Sequence, residues 1–103
     1  MDEAVKSRLA SAGFRETNVQ ELFGLSREEM ELVETRLALC RLIKRLRAER
    51  GVSEQAAARA IGSDQGNVSK AERNDATVSL EWMVRAAFAL GASRQDVAHA
   101  IAG

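Results

Sequence analysis

Apolar residues recur at helical spacing along most of the chain, and no run of strand length alternates apolar with polar residues. Residues 27–49 form the longest periodic segment and carry two apolar stripes. A helix with one buried side carries one stripe, so two stripes predict a helix that is covered from two sides. The stripes consist of Leu32, Leu39, Ile43 and Leu46, and of Met30, Val33, Leu37 and Cys40.

Capping signals divide residues 26–103 into five helices. Ser26 and Glu29 have the spacing of a capping box, as do Ser93 and Asp96. Other serines fit N-caps, and several glycines fit helix ends that close with a left-handed residue. These are Ser53, Ser63 and Ser79, and Gly51, Gly62 and Gly91. The predicted helices cover residues 27–49, 54–61, 64–73, 80–90 and 94–102.

The composition favours helices packed on helices. Aromatic residues make up 4% of the 103 residues, and the chain has no proline and no tyrosine. We predict an all-α fold with a domain over residues 26–103 and a helical extension over residues 1–25. In the extension, Val5, Leu9 and Ala12 line one face of a short helix, and residues 17–20 have the pattern of a second helix start.

The cellular setting follows from the cysteine count and from the apolar runs. The single cysteine, Cys40, excludes an internal disulfide and fits a reducing cytosol. No apolar run approaches the ~20 residues that cross a bilayer, and the N-terminus lacks the apolar stretch of an export signal. The sequence therefore predicts a cytoplasmic protein without a membrane partner.

Charge is divided unevenly along the chain. The formal net charge is zero, which argues against a nucleic-acid partner. Residues 1–34 hold eight acidic and four basic side chains, however, while residues 35–103 hold seven acidic and eleven basic ones. This asymmetry predicts two surfaces with different partners.

Residues 51–73 have the pattern of two short helices that meet at a steep angle around a tight turn. Ala57 and Ala58 allow a close approach of the helices, and Gly62 takes the turn. The buried side consists of Val52, Ile61 and Val68. The second helix then exposes Gln65, Asn67, Ser69, Lys70 and Arg73. Such side chains bind base edges and phosphate oxygens.

These blocks together resemble the XRE-type helix-turn-helix family of phage repressors and Cro proteins. The resemblance covers residues 42–97 and keeps the spacing of blocks 46–53, 61–63, 68–72 and 90–93. It implies a five-helix, phage-repressor-like domain of bacterial or phage origin. It also implies that a homodimer binds a palindromic operator in double-stranded DNA. The third helix would lie in the major groove, with half-sites roughly 34 Å apart.

The resemblance also implies roles for individual residues. Base contacts fall on Asp64, Gln65, Gly66 and Lys70, to which the exposed polar face adds Asn67 and Ser69. A structural ion pair falls on Arg47 and Glu72. We expect phosphate contacts from the basic residues Arg41, Lys44, Arg45, Arg50, Arg59 and Arg73, any one of which could instead be an ordinary solvated charge.

Three positions depart from the family pattern. Glu54 stands where relatives place a neutral Gln against a phosphate. Asp64 suits the start of a helix but repels phosphate, and it could accept a hydrogen bond from a cytosine amino group. Gly66 offers no side chain at a reading position. These departures, together with the zero net charge, leave open an alternative: a protein-interaction module that uses the same fold without DNA.

A looser resemblance covers the whole chain. The order of segments resembles that of small HigA-type antitoxins: a short N-terminal segment is followed by residues 22–29 and then by this domain. This resemblance implies a repressor that controls its own operon and neutralises a small basic RelE-like toxin. The acidic N-terminal third suits such a partner. Alternatively, residues 1–34 extend a dimer or cap the core.

The remaining residues give no sign of catalysis. The chain has no Ser/His/Asp set and no glycine-rich phosphate loop, so we expect neither an enzyme nor a cofactor. His99 stands alone without metal ligands near it, and Cys40 fits the core. Trp82 and Phe88 fall outside the core face of the fourth helix, where they are either satellite core or an interface.

Overall fold

The structure is a computed structural model that describes residues 21–103. Within that range the chain forms five helices and no strand, which confirms the predicted all-α fold. The helices are α1 (Arg27–Arg50), α2 (Glu54–Ile61), α3 (Gln65–Glu72), α4 (Leu80–Ala89) and α5 (Arg94–Ala102). Each boundary lies within one residue of its predicted place. The helices predicted near Val5 and at residues 17–20 lie outside the described residues.

The chain divides into two compact units, Met1–Leu37 and Ala38–Gly103. The predicted domain boundary after residue 25 stays a prediction. In the first unit, the Ser26 hydroxyl accepts a hydrogen bond from the Glu29 N–H at 3.1 Å, and Glu29 accepts one from the Ser26 N–H at 3.3 Å. The predicted capping box is thus confirmed. Leu32 is 52% exposed, so its placement in a buried stripe is wrong.

The second unit has one apolar core to which all five helices contribute. Its largest fully buried side chains are Leu39, Leu42, Ile43, Val68, Met83 and Leu90. Burying a side chain of this size stabilises the fold by about 1.5–3 kcal/mol. Leu42 belongs to neither predicted stripe, so α1 is buried over a wider arc than the two stripes indicate. Alanines fill the narrow contacts: Ala57, Ala58, Ala71, Ala86 and Ala87.

The turn between α2 and α3 is closed by two backbone hydrogen bonds. The Ser63 N–H donates to the Ala58 carbonyl at 2.9 Å, and the Gly62 N–H donates to the Arg59 carbonyl at 3.2 Å. Gly62 adopts the left-handed conformation at φ 77°, which a residue with a Cβ adopts only at a cost. The chain therefore turns within residues 62–64, and α3 begins directly after them.

The start of α3 differs from the prediction. We expect an N-cap at Ser63, but Asp64 is the cap, and its Oδ1 accepts from the Asn67 N–H at 2.8 Å. The Ser63 hydroxyl instead accepts from the Asn67 Nδ2 at 3.0 Å. The predicted N-caps at Ser53 and Ser79 are confirmed.

The capping box at the start of α5 is also confirmed. The Ser93 hydroxyl accepts from the Asp96 N–H at 3.0 Å, and the Asp96 carboxylate accepts from the Ser93 N–H at 2.8 Å. The hydrogen bond from that backbone N–H lowers the pKa of Asp96 below its ordinary value. The carboxylate therefore stays ionised at the positive end of the helix dipole.

Replacement of Gly62 tests the turn. A Cβ at this position would meet no atom within 4 Å, so the cost of Gly62→Ala is backbone strain alone. We expect Gly62→Ala to lower the free energy of unfolding by about 1–2 kcal/mol. Gly62→Asn should lose less, because asparagine tolerates the left-handed region. Chemical denaturation measures both, and equal stability of Gly62→Ala and wild type would contradict the strained turn.

Candidate nucleic-acid interface

Helix α3 has one buried side and one exposed side. Val68 and Ala71 are fully buried, and Glu72 is 7% exposed. The opposite side carries the exposed residues Gln65, Gly66, Lys70 and Arg73 and the half-buried Ser69. At 3.6 residues per turn these five share an arc of about 140°. We call these five residues the outward face.

An ion pair holds α3 from behind. The Arg47 Nε and Nη2 donate to the Glu72 Oε1 at 3.0 and 2.8 Å. The side chains are 29% and 8% exposed, so the pair is mostly shielded from water. The Arg47 Nη1 also donates to the Val52 carbonyl at 3.2 Å. One guanidinium on α1 therefore joins the end of α3 to the segment that precedes α2.

Two protonation states support this arrangement. Its hydrogen bond with Glu72 raises the pKa of Arg47 above an already high ordinary value, so the guanidinium stays charged. Burial raises the pKa of the Cys40 thiol, which therefore stays protonated at neutral pH. The Cys40 Sγ lies 3.1 Å from the Glu72 carbonyl and donates to it. Both ends of Glu72, side chain and backbone, are thus bonded to α1.

Several predicted base-reading residues hold the helix together. The Asp64 carboxylate caps α3, and the Asn67 Nδ2 donates to the Ser63 hydroxyl at 3.0 Å. The Ser69 hydroxyl accepts from the Arg73 guanidinium at 2.7 Å. These bonds order the start and the end of α3.

Two predicted reading residues remain uncommitted. Among residues 21–103, Gln65 and Lys70 have side chains that are exposed and make no hydrogen bond or ion pair. Gly66 lies between them in the chain and serves the cap, because a Cβ there would come within 3.1 Å of the Asp64 Oδ1. The outward face thus presents the amide of Gln65 and the ammonium group of Lys70 without hydrogen bonds to the described residues, and Gly66 adds no side chain between them.

A polar depression lies between α2 and α3. It is lined by Gln55, Ala58, Arg59, Ser63 and Gln65. Gln55 is missing from the residues expected from the sequence. Its position four residues before Arg59 could have indicated it, because residues at that spacing share a helix face. The structure therefore places one amide and one guanidinium beside Gln65.

The basic residues predicted to contact phosphates are all exposed. Arg73 belongs to the outward face of α3, and Arg59 lies beside that face. Lys44 and Arg45 lie on α1, where Arg45 is 3.6 Å from Glu49, and Arg41 is on the same helix. The Arg50 guanidinium lies near Gly91 in the turn between α4 and α5.

The comparisons with known proteins agree with this geometry. A family model described as a helix-turn-helix domain matches residues 38–100, which is more than half of the chain. The chain belongs to the helix-turn-helix domain family. The match is consistent with the XRE-type resemblance. Searches of the curated proteins and of the solved structures found no match.

In this helix-turn-helix domain the two acidic departures differ in their surroundings. Glu54 is half-buried, and its charge makes the smallest of the contributions that raise the pKa of Arg47. Asp64 is engaged as the α3 cap, where the helix N-terminus offsets its negative charge.

The other residues of interest lie away from α3. Trp82 is half-buried against the core, whereas Phe88 is 42% exposed, so only Phe88 presents its ring to solvent. His99 is exposed. Residues 21–103 contain no group of side chains arranged to hold a metal ion. No helix in this part of the chain is long and apolar enough to cross a bilayer.

Removal of the Glu72 carboxylate tests the ion pair. Glu72→Ala leaves Arg47 without its anion, and we expect a loss of about 2 kcal/mol in the free energy of unfolding. The control is Glu49→Ala, which removes the partner of Arg45 in a pair that is about 60% exposed. It should cost less than about 0.5 kcal/mol. Equal losses in urea denaturation would contradict a special role of Glu72.

Proposed function

We propose that this helix-turn-helix domain binds duplex DNA in a sequence-specific way and acts as a transcriptional repressor. The observation that carries the proposal is the state of α3. The helix is anchored from behind by Arg47 and Glu72, while the exposed side chains of Gln65 and Lys70 make no hydrogen bond or ion pair among the described residues.

The chemistry of the outward face fits the major groove. A groove of about 12 Å admits one α-helix, and an amide such as that of Gln65 can make two hydrogen bonds to adenine. The ammonium group of Lys70 can donate to the O6 and N7 of guanine or to a phosphate. Asp64, Asn67 and Ser69 support reading by ordering the helix, since their bonds fix its two ends.

The depression between α2 and α3 fits the phosphate backbone. Gln55 and Arg59 both line it next to Gln65, so a phosphate held there would set the register of the reading residues. Arg73 adds a second cation at the other end of α3. The basic excess of residues 35–103 acts in the same direction.

A second candidate function is binding of a small basic protein, the antitoxin role. The observation that favours it is a surface in residues 21–31. Leu22 and Phe23 are 66% and 67% exposed, and Glu21, Glu28 and Glu31 of the same segment are also exposed. Exposed apolar side chains in an acidic segment suit a basic partner. Co-purification with a small basic protein encoded by the adjacent gene, lost in Phe23→Asp, would support this role.

Replacement of Lys70 tests the reading face. Selection from a random duplex library supplies the operator, and fluorescence anisotropy measures the affinity. Lys70→Ala should weaken binding by about ten- to a hundredfold, with an unchanged melting temperature. Arg94→Ala removes an exposed cation outside the predicted site and should change affinity less than about twofold.

The salt dependence of the same binding distinguishes two possible roles of Lys70, a phosphate contact and a base contact. Each phosphate contact contributes about −0.9 to the slope of log K against log salt. If Lys70 binds a phosphate, Lys70→Ala lowers the slope by about one and weakens all sequences alike. If Lys70 instead contacts a base, Lys70→Ala leaves the slope unchanged and weakens the preference for one base pair in the operator. Failure to select any duplex sequence would favour the protein-interaction alternative.

A further inference from the structure

Helix α4 carries an apolar stripe beside its fully buried side. Met83, Ala86 and Ala87 are fully buried in the core. Leu80, Val84 and Phe88 follow one another at intervals of four residues on another side of the helix. They line a shallow, mostly apolar depression on the protein surface. We call these three residues the α4 stripe.

The α4 stripe is only partly covered by the fold. Leu80 and Val84 are half-buried and pack partly against the core, whereas Phe88 is 42% exposed although it is the largest apolar side chain of the three. An apolar stripe that ends in an exposed ring is typical of an interaction surface.

Two charges flank the stripe and indicate what covers it. Glu81 and Arg85 line the same depression, one turn apart on a single edge of α4. Both are exposed, and neither makes a hydrogen bond or an ion pair within residues 21–103. Opposite charges at this spacing, about 6 Å apart along the axis, form an edge that is complementary to its own reversed copy.

We propose that a second copy of this chain packs its α4 stripe on this one in an antiparallel arrangement around a two-fold axis. A two-fold axis perpendicular to both helices sets the same edge of each helix side by side with reversed direction. Glu81 then faces the partner's Arg85, and Arg85 faces the partner's Glu81. In the same arrangement Val84 packs near the axis, and Leu80 packs against the partner's Phe88.

This dimer would place two α3 helices in one particle, as a palindromic operator requires. That use of the dimer rests on the proposed function, but the dimer itself does not, because it forms without DNA. A wild-type chain that stays monomeric but still selects a duplex sequence would overturn the interface alone. A dimer that selects no DNA would overturn the proposed function alone.

Charge reversal in the full chain tests the arrangement. Glu81→Arg sets two arginines against each other at each end of the interface, and Arg85→Glu sets two glutamates there. We expect each variant alone to dimerise about tenfold or more weakly than wild type by sedimentation equilibrium. An equimolar mixture of the two variants should dimerise like wild type, because every Arg then faces a Glu of the other variant. A folding defect could not be repaired by mixing.

Two apolar replacements locate the interface. Phe88→Asp should abolish the dimer with an unchanged circular dichroism spectrum. Ile101→Asp alters a similarly exposed residue, 44% against 42%, on α5 and should leave the dimer intact. A wild-type chain that stays monomeric at high concentration would overturn the proposal, as would a dimer disrupted only by Ile101→Asp or single variants that are not rescued by mixing.

Discussion

The organisation of the domain depends on the hydrogen bonds of the Arg47 guanidinium. It binds the carboxylate of Glu72 at 2.8 Å and the carbonyl of Val52 at 3.2 Å, so it ties α3 and the segment before α2 to α1. Removing water from a charged pair is costly, and two N–H groups of Arg47 offset part of that cost by donating to the same Glu72 oxygen. The position of α3 is therefore fixed by a directional contact in addition to apolar burial.

This anchor leaves the opposite side of α3 available for binding. Because Val68 and Ala71 fill the core side completely, the helix cannot rotate to bury Gln65 or Lys70 without opening a cavity. The Asp64 carboxylate and the Asn67 side chain fix the first turn through hydrogen bonds as well. Because the helix is already ordered, binding through Gln65 and Lys70 would cost the rotamer entropy of those side chains but no ordering of the backbone.

The sequence predicts most of the fold because its signals are local. Serine caps and end glycines lie within a few residues of the atoms they bond, so the five helices could be placed to within one residue. Ser63 was assigned wrongly because the adjacent Asp64 is an equally suitable N-cap, and residue preference alone does not decide between two neighbouring cap residues. Leu32 was assigned wrongly because periodicity shows which residues share a face and not whether anything covers it.

The residue types of the candidate site could be predicted from the sequence. Which of those side chains are already hydrogen-bonded within the domain could not. Sequence shows that Ser69 and Asn67 are polar and near the reading face, but only coordinates show that their hydrogen bonds are already used within the domain. The nearness of Gln55 to Gln65 likewise depends on the angle between two helices. Glu54 appears from sequence as a bare negative charge, whereas the structure brings it near Arg47.

We expect the outward face of α3 to meet DNA while its inward face stays bound to α1. Chemical-shift mapping with a selected duplex tests this arrangement most directly. The amide signals of Gln65, Gly66 and Lys70 should shift strongly, with the signals of α5 unchanged. Shifts confined to α4 and α5, with those three signals unmoved at saturation, would contradict it.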